Sequence, residues 1–241
     1  MSGGPTRFSI VLPCYNEAEN LPGLLADYRA AWEDFPTELI LVDNGSTDST
    51  PAALAAALPA CGLPDVRAVR VPVNRGYGHG LAAGLAQARG EFVGWSHGDL
   101  QCPAGDLFAA YRRLLAEGDP TRVLVKGRRV TRPLGGAAFT AGMSAAASAI
   151  LGTVLTDINA QPKVFHRGHL ARWLPGAPDG LEFDLHVLHR ARRDGLAIAT
   201  VPVSFRARAH GRSSWATSLA ARSRAVARML RAMVAMRRNR P

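Results

Sequence analysis

The chain has 241 residues and a mass of 25.6 kDa, with 47% hydrophobic and 20% charged residues. That excludes a disordered or collagen-like polymer and allows one large domain with a modest extension. The formal net charge is +10, yet residues 1–194 balance at 19 basic against 19 acidic side chains, while the last 47 hold ten arginines, no lysine and no acid. An anionic partner for that end follows: a phosphate, a lipid surface or nucleic acid.

Short apolar runs alternate with Ala-rich helical patterns through the first half. Phe8–Leu12 reads as a buried strand stopped by Pro13, followed by strands at Glu38–Asp43, Val66–Val71 and Glu91–Trp95. The helical segments between and after them fall at roughly 18–34, 50–60, 78–89 and 104–117. Asp48 or Thr50 suits a cap and Pro51 a first turn, and Pro103 opens the fourth helix in the same way. Such alternation predicts an α/β fold with a mainly parallel sheet, whose ligands bind beyond the carboxyl ends of the strands.

Residues 133–156 carry no charge but are weakly apolar and broken by glycines, so a helix against the sheet or at an interface is favoured over a membrane span. A strand at Lys163–His166, a helix near 180–194 and a strand at Ile198–Phe205 follow. From Ser214 the tail reads as a helix, with Trp215, Leu219, Val226, Leu230 and Met233 on one side and Arg224, Arg228, Arg231 and Arg238 largely elsewhere. This pattern suits the surface of an anionic membrane, or docking on the domain or on a second protomer.

Three polar, glycine-containing segments sit at successive strand ends: Leu12–Asn20, Val42–Thr50 and Ser96–Pro103. Each alone is ordinary turn chemistry. Together they carry a resemblance: the sequence resembles family 2 glycosyltransferases of the GT-A fold, most closely the dolichol- or polyprenyl-phosphate sugar transferases. Pro13-Cys-Tyr-Asn-Glu17, Asp43-Asn-Gly-Ser-Thr-Asp48, Asn74-Arg-Gly-Tyr-Gly-His-Gly80 with Gly84, and His97-Gly-Asp-Leu-Gln101 match that family's motifs in order. Gly127-Arg-Arg129, Asp157 to Arg167 and Arg208-Ala-His-Gly-Arg-Ser213 match its later landmarks.

The resemblance implies a domain at 1–213, with a nucleotide-binding half and an acceptor-binding half, and the pattern of the tail adds a basic amphipathic helix at 214–241. It implies an inverting transfer of a hexose from a nucleoside-diphosphate sugar to a lipid phosphate, with Mg2+ or Mn2+ as cofactor. Pro13, Tyr15, Asn16, Glu17, Asp43, Gly76, His97, Gly98 and Asp99 would bind the donor, and Asp99, the Gln101 carbonyl and His97 the metal. Two positions depart from the family pattern: His97 replaces the first acid of the metal motif, and Asn44 replaces a common aspartate. One carboxylate fewer favours Mn2+ over Mg2+. Arg128, Arg129, Lys163, Arg208, Arg212 and Ser213, with Arg132 and Arg206, would hold the acceptor phosphate or the pyrophosphate. Asp99 and Arg129 join Glu182 and Asp184 as the catalytic set, the last two being candidate bases for a hydroxyl acceptor or merely acids at a helix N-terminus.

Two other classes stay open. A hydroxyl on a soluble acceptor is one. A nucleic-acid binder using the arginine-rich tail is the other, disfavoured because Trp215 is the only aromatic beyond Phe205. Gly78–Ala83 imitates a dinucleotide fingerprint but follows the third strand, and the pairs His166/His169 and His186/His189 have no cysteine to complete a zinc site. Cys14, Cys61 and Cys102 have no metal spacing, and Cys14 and Cys102 read as bystanders. The N-terminus lacks a basic-then-apolar leader. The expected place is the bacterial cytosol, peripheral on the inner membrane face, with a homodimer allowed.

Overall fold

The computed structural model describes residues 6–130, 134–210 and 219–238. Strands and helices alternate: β1 (Phe8–Cys14), α1 (Leu21–Ala31), β2 (Thr37–Asn44), α2 (Thr50–Ala57), β3 (Val66–Val71), α3 (Tyr77–Leu85), β4 (Phe92–Trp95) and α4 (Ala104–Leu115). Then come β5 (Val123–Arg129), α5 (Leu134–Leu151), β6 (Lys163–His166), α6 (Leu170–Trp173), α7 (Glu182–Arg193), β7 (Ala197–Val203) and α8 (Leu219–Arg238). The strands form one sheet in the order β3-β2-β1-β4-β6-β5-β7, in which β6 is antiparallel to both neighbours and the other pairs are parallel. The expected α/β architecture is therefore present.

Period-two alternation sorts the core into two layers. Phe8, Ile10, Leu12, Leu39 and Leu41 face α1, α2 and α4, where Leu24, Leu54, Leu107, Phe108 and Tyr111 meet them. Phe8 stacks on Tyr111 with ring centroids 4.1 Å apart. Val11, Ile40, Val42 and Trp95 face the opposite layer, built from Leu81 and Leu85 of α3, Ala147 and Leu151 of α5, Phe183 of α7, and Met229 and Met233 of α8. Crossovers from the strands run in both directions from β1, so the carboxyl ends of β1, β2 and β4 open onto one crevice.

Three elements differ from the sequence expectations, and a fourth is as expected. Pro13 does not stop β1: Val11 offers its carbonyl to Ser96 on the β4 side, and Pro13, two residues on, lies past the last β1–β4 pair, Val11↔Trp95, so its missing N–H breaks no ladder bond there. Strand β5 is absent from the expected set because Lys126, Arg128 and Arg129 mask its pattern. Lys126 is nevertheless 2% exposed, its ammonium donating to the carbonyls of Gly127 and Asp157. The uncharged 133–156 stretch, expected as a helix against the sheet or at an interface, does yield a helix, α5, packed in the core, and no helix among the described residues is long and apolar enough to cross a membrane. In α8 the expected single apolar face splits: Met229 and Met233 are buried, whereas Leu230 is 38% exposed. The boundary expected at 213/214 and the side chains of Trp215 and Leu219 lie outside the described residues.

Candidate active site

The loops after β1, β2 and β4 are stitched into one surface. Asn16, at φ 55°, donates its backbone N–H to Ser46 Oγ (3.1 Å) and accepts Thr47 N–H on Oδ1 (2.9 Å), joining the β1 loop to the β2 loop. The Glu17 N–H bonds Thr50 Oγ1 at 2.8 Å, adding a second tie. Gly98 brings the β4 loop against β1 so closely that a Cβ there would lie 2.9 Å from the Pro13 carbonyl oxygen. The result gathers three carboxylates: burial first, then Glu17, Asp43 and Asp99 together, push the Cys14 thiol far up.

Each carboxylate has a distinct setting. Asp43 is 3% exposed; Oδ1 accepts Ser46 N–H at 2.9 Å, while Oδ2 accepts no hydrogen bond and lies 3.6 Å from Arg70 Nε. Asp99 is 6% exposed; Oδ1 accepts Gln101 N–H at 3.2 Å and Oδ2 meets Arg208 Nη2 at 2.5 Å. Arg208 Nη1 also reaches Glu17 Oε1 at 3.3 Å. Burial raises the Glu17 pKa to about 7, against hydrogen bonding from Asn20 and the charge of Arg208, with Asp99 adding to the rise.

Arg208 belongs to a strap that leaves β7 and crosses the mouth of the crevice. Arg206 N–H donates to the Gln101 carbonyl at 2.8 Å, and Gln101 Nε2 returns a bond to the Arg206 carbonyl at 3.2 Å. The carbonyl expected to meet a metal is thus engaged by the strap. His97 rests beside Tyr77, ring centroids 5.7 Å apart, and its burial lowers its pKa, against the carboxylates of Asp99 and Asp184. Tyr15 stands 39% exposed at the rim, free to cover a planar base. Pro13 lies in β1 itself.

Several other expected site residues are engaged by neighbouring protein groups. Lys163 is fully buried; its ammonium pairs with Asp184 Oδ1 at 2.8 Å and donates to the Ala160 carbonyl at 3.1 Å, so it is not offered to a phosphate. Asp184, 1% exposed, also accepts from Trp95 Nε1 at 3.2 Å, Gln161 Nε2 at 3.0 Å and Asn159 Nδ2 at 3.4 Å. Glu182 turns toward α8, with Arg228 Nε 3.4 Å from Oε1. Arg129 bonds the Asn159 carbonyl and, through its N–H, Asp157 Oδ2 (2.9 Å), and lies 4.9 Å from the Phe205 ring centroid. Arg128 is exposed at the end of β5. Gly76, at φ 137°, backs onto Asp179, whose carbonyl oxygen would be 2.3 Å from a Cβ. Asn44 ties that glycine segment down, donating to the Gly76 carbonyl at 3.0 Å. Arg132, Arg212 and Ser213 lie outside the described residues.

Trp95, Tyr77, Asn159, Gln161 and Arg70 escaped the sequence reading. The first four surround Asp184 or its partners, and Gln161 Nε2 also bonds Tyr77 Oη at 3.0 Å. Tyr77, Asn159 and Gln161 fall in motif-bearing stretches, whereas Trp95 and Arg70 fall only in expected strands.

Comparison with known proteins agrees with this geometry. The model of the family described as "Glycosyl transferase family 2" matches residues 9–135. Undecaprenyl-phosphate 4-deoxy-4-formamido-L-arabinose transferase of Sodalis glossinidius is 40% identical over 105 residues, which are 42% of this chain and 31% of that protein. The Serratia proteamaculans enzyme of the same name is 38% identical over the same length. The chain thus matches less than a third of these relatives' length. The structure of glucosyl-3-phosphoglycerate synthase from Mycobacterium tuberculosis with Mn2+, UDP and glucosyl-3-phosphoglycerate superposes with a TM-score of 0.71 at 28% identity, covering 98% of this chain and 81% of that one. A second structure of that synthase, with Mn2+, UDP-glucose and phosphoglyceric acid, gives a TM-score of 0.72 at 27% identity over the same shares. A seven-stranded, mainly parallel sheet whose first, second and fourth strands deliver acids to one crevice, together with these matches, makes the chain a GT-A glycosyltransferase that belongs to glycosyl transferase family 2.

Proposed function

We propose that the protein transfers a hexose, with inversion, from a nucleoside-diphosphate sugar to a polyprenyl phosphate at the cytosolic face of a membrane. One observation carries the choice of acceptor. The two expected bases are both committed: Asp184 accepts from Lys163, Trp95, Gln161 and Asn159, and Glu182 faces Arg228. A hydroxyl acceptor needs a base positioned to take its proton, whereas a phosphate is already anionic. The undecaprenyl-phosphate transferases among the relatives support the same reading.

For the donor, Tyr15 would cover the base and Asp43 Oδ2, buried and without a hydrogen bond, would accept a base or ribose donor. UDP in the comparison structures favours uridine. A divalent cation fits the chemistry present. Arg208 stands between Asp99 and Glu17 as a stand-in positive charge, and His97, held neutral by burial, is a competent ligand. Asp99 and His97 would hold the cation, and when bound it supplies neutralisation of the leaving pyrophosphate. No three acidic, His or Cys side chains among the described residues lie close enough together to hold a metal ion by themselves, so phosphate oxygens and water would have to complete its shell. Arg208, which now pairs with Asp99 and Glu17, could pair with phosphate oxygens if those carboxylates had another counter-charge. Arg128, exposed at the end of β5, would meet the acceptor phosphate.

Transfer to the hydroxyl of a soluble acceptor is favoured by one observation: the synthase that holds phosphoglyceric acid matches 98% of this chain. A single assay separates the readings. UDP-hexoses are offered with Mn2+ or Mg2+ to a polyprenyl phosphate, to the dephosphorylated polyprenol and to phosphoglyceric acid. Glycosylated polyprenyl phosphate alone is expected, lost in excess chelator; turnover of either hydroxyl acceptor overturns the proposal.

A further inference from the structure

We infer that the outer face of α8 is a docking surface for an anionic phospholipid bilayer. The helix carries two apolar stripes rather than one. Met229 and Met233 are buried against the body, while Leu230 and Val234, one turn apart, are 38% and 41% exposed on another side. Beside this outer stripe runs a row of exposed arginines, Arg224, Arg231 and Arg238. They are spaced by seven residues, which places them on one side of the helix about 10.5 Å apart. Two further arginines of α8 turn to the protein: Arg228 meets Glu182, and Arg237 Nη1 donates to the Ile150 carbonyl at 3.2 Å. At that same end of α5, Val154 is 70% exposed.

Charge complementarity selects the occupant. The arginine row has no acidic partner among the described residues, and the sequence from Gly195 onward contains no acid to provide one. A second copy docked face to face would bring like rows together and repel. Nucleic acid would use the arginines but leave Leu230 and Val234 without a role, since no aromatic side chain accompanies them to stack on bases. An anionic bilayer uses both, taking the apolar stripe at the acyl boundary and the guanidiniums at the headgroups. The inference deepens the lipid-acceptor reading and rests on it for its purpose, because a protein held on the bilayer meets its acceptor there.

The test is co-sedimentation of the full chain with phosphatidylcholine vesicles with and without phosphatidylglycerol, alongside UDP-induced thermal stabilisation. Binding is expected only with phosphatidylglycerol, and it weakens as salt rises. Arg231→Gln and Arg238→Gln should each lower partitioning roughly fivefold. Leu230→Ser with Val234→Ser should weaken it further, with UDP stabilisation unchanged in every variant. Equal binding to neutral vesicles, no binding to anionic ones, tighter capture of duplex DNA, or a dimer abolished by the Leu230/Val234 pair would each overturn it. UDP stabilisation without vesicle binding removes this surface alone, whereas vesicle binding without UDP stabilisation removes the uridine-donor reading alone.

Discussion

Arg208 neutralises carboxylates delivered by two different strands, Asp99 after β4 and Glu17 after β1. Glu17 is held in a setting that favours its proton, its pKa raised from 4.5 to about 7 chiefly by burial. A group that binds its proton more tightly when folded contributes stability below the unfolded value and loses it as pH rises through the folded one. In chelator, the wild type should therefore lose stability between about pH 5 and 7.5. Glu17→Gln, which keeps the shape without the charge, should lose less; denaturant unfolding at both pH values checks this, and parallel losses would refute it. The Lys163–Asp184 pair is a second residue-scale case. Lys163→Met leaves a buried carboxylate unpaired and should cost about 3–5 kcal/mol. Adding Asp184→Asn should restore part of that loss in urea titrations, an outcome a lysine reserved for phosphate would not give.

At the scale of elements, the strands that read clearly in the sequence are those with a continuous apolar run, as in β1, or an alternating one, as in β3. Glu38 in β2 is an exception that still formed, because Ser9, Arg67 and Arg89 satisfy its buried carboxylate. Strand β5 was hidden because local polarity cannot report that Lys126 will find two carbonyls inside the fold. Gly127 shows what β5 positions: a Cβ there would lie 2.0 Å from the Gln161 carbonyl oxygen, on the loop that carries Gln161 to Asp184. Gly127→Ala should destabilise by about 1–3 kcal/mol, since the obstacle is backbone, and a melting curve unchanged from wild type would contradict the packing. In α8 the helical period was legible, but which of its two apolar stripes turns inward depended on the surfaces of α5 and α7.

For the whole molecule, the excess charge, the α/β alternation and the ordered motifs were all present in the sequence, and they settled fold class and family. Pattern and residue type suffice there, because periodicity records which side of an element is buried and turn chemistry recurs at strand ends. The partners of Lys163, Asp184 and Glu182 appear only in the tertiary structure. A carboxylate or ammonium reads the same in sequence whether it meets a ligand or another side chain, and its chemistry follows from burial and from donors contributed by β4, β6, α8 and the 157–162 loop. Likewise the convergence of Glu17, Asp43 and Asp99 on Cys14 arises from the register of three strands far apart in the chain, which no local pattern encodes.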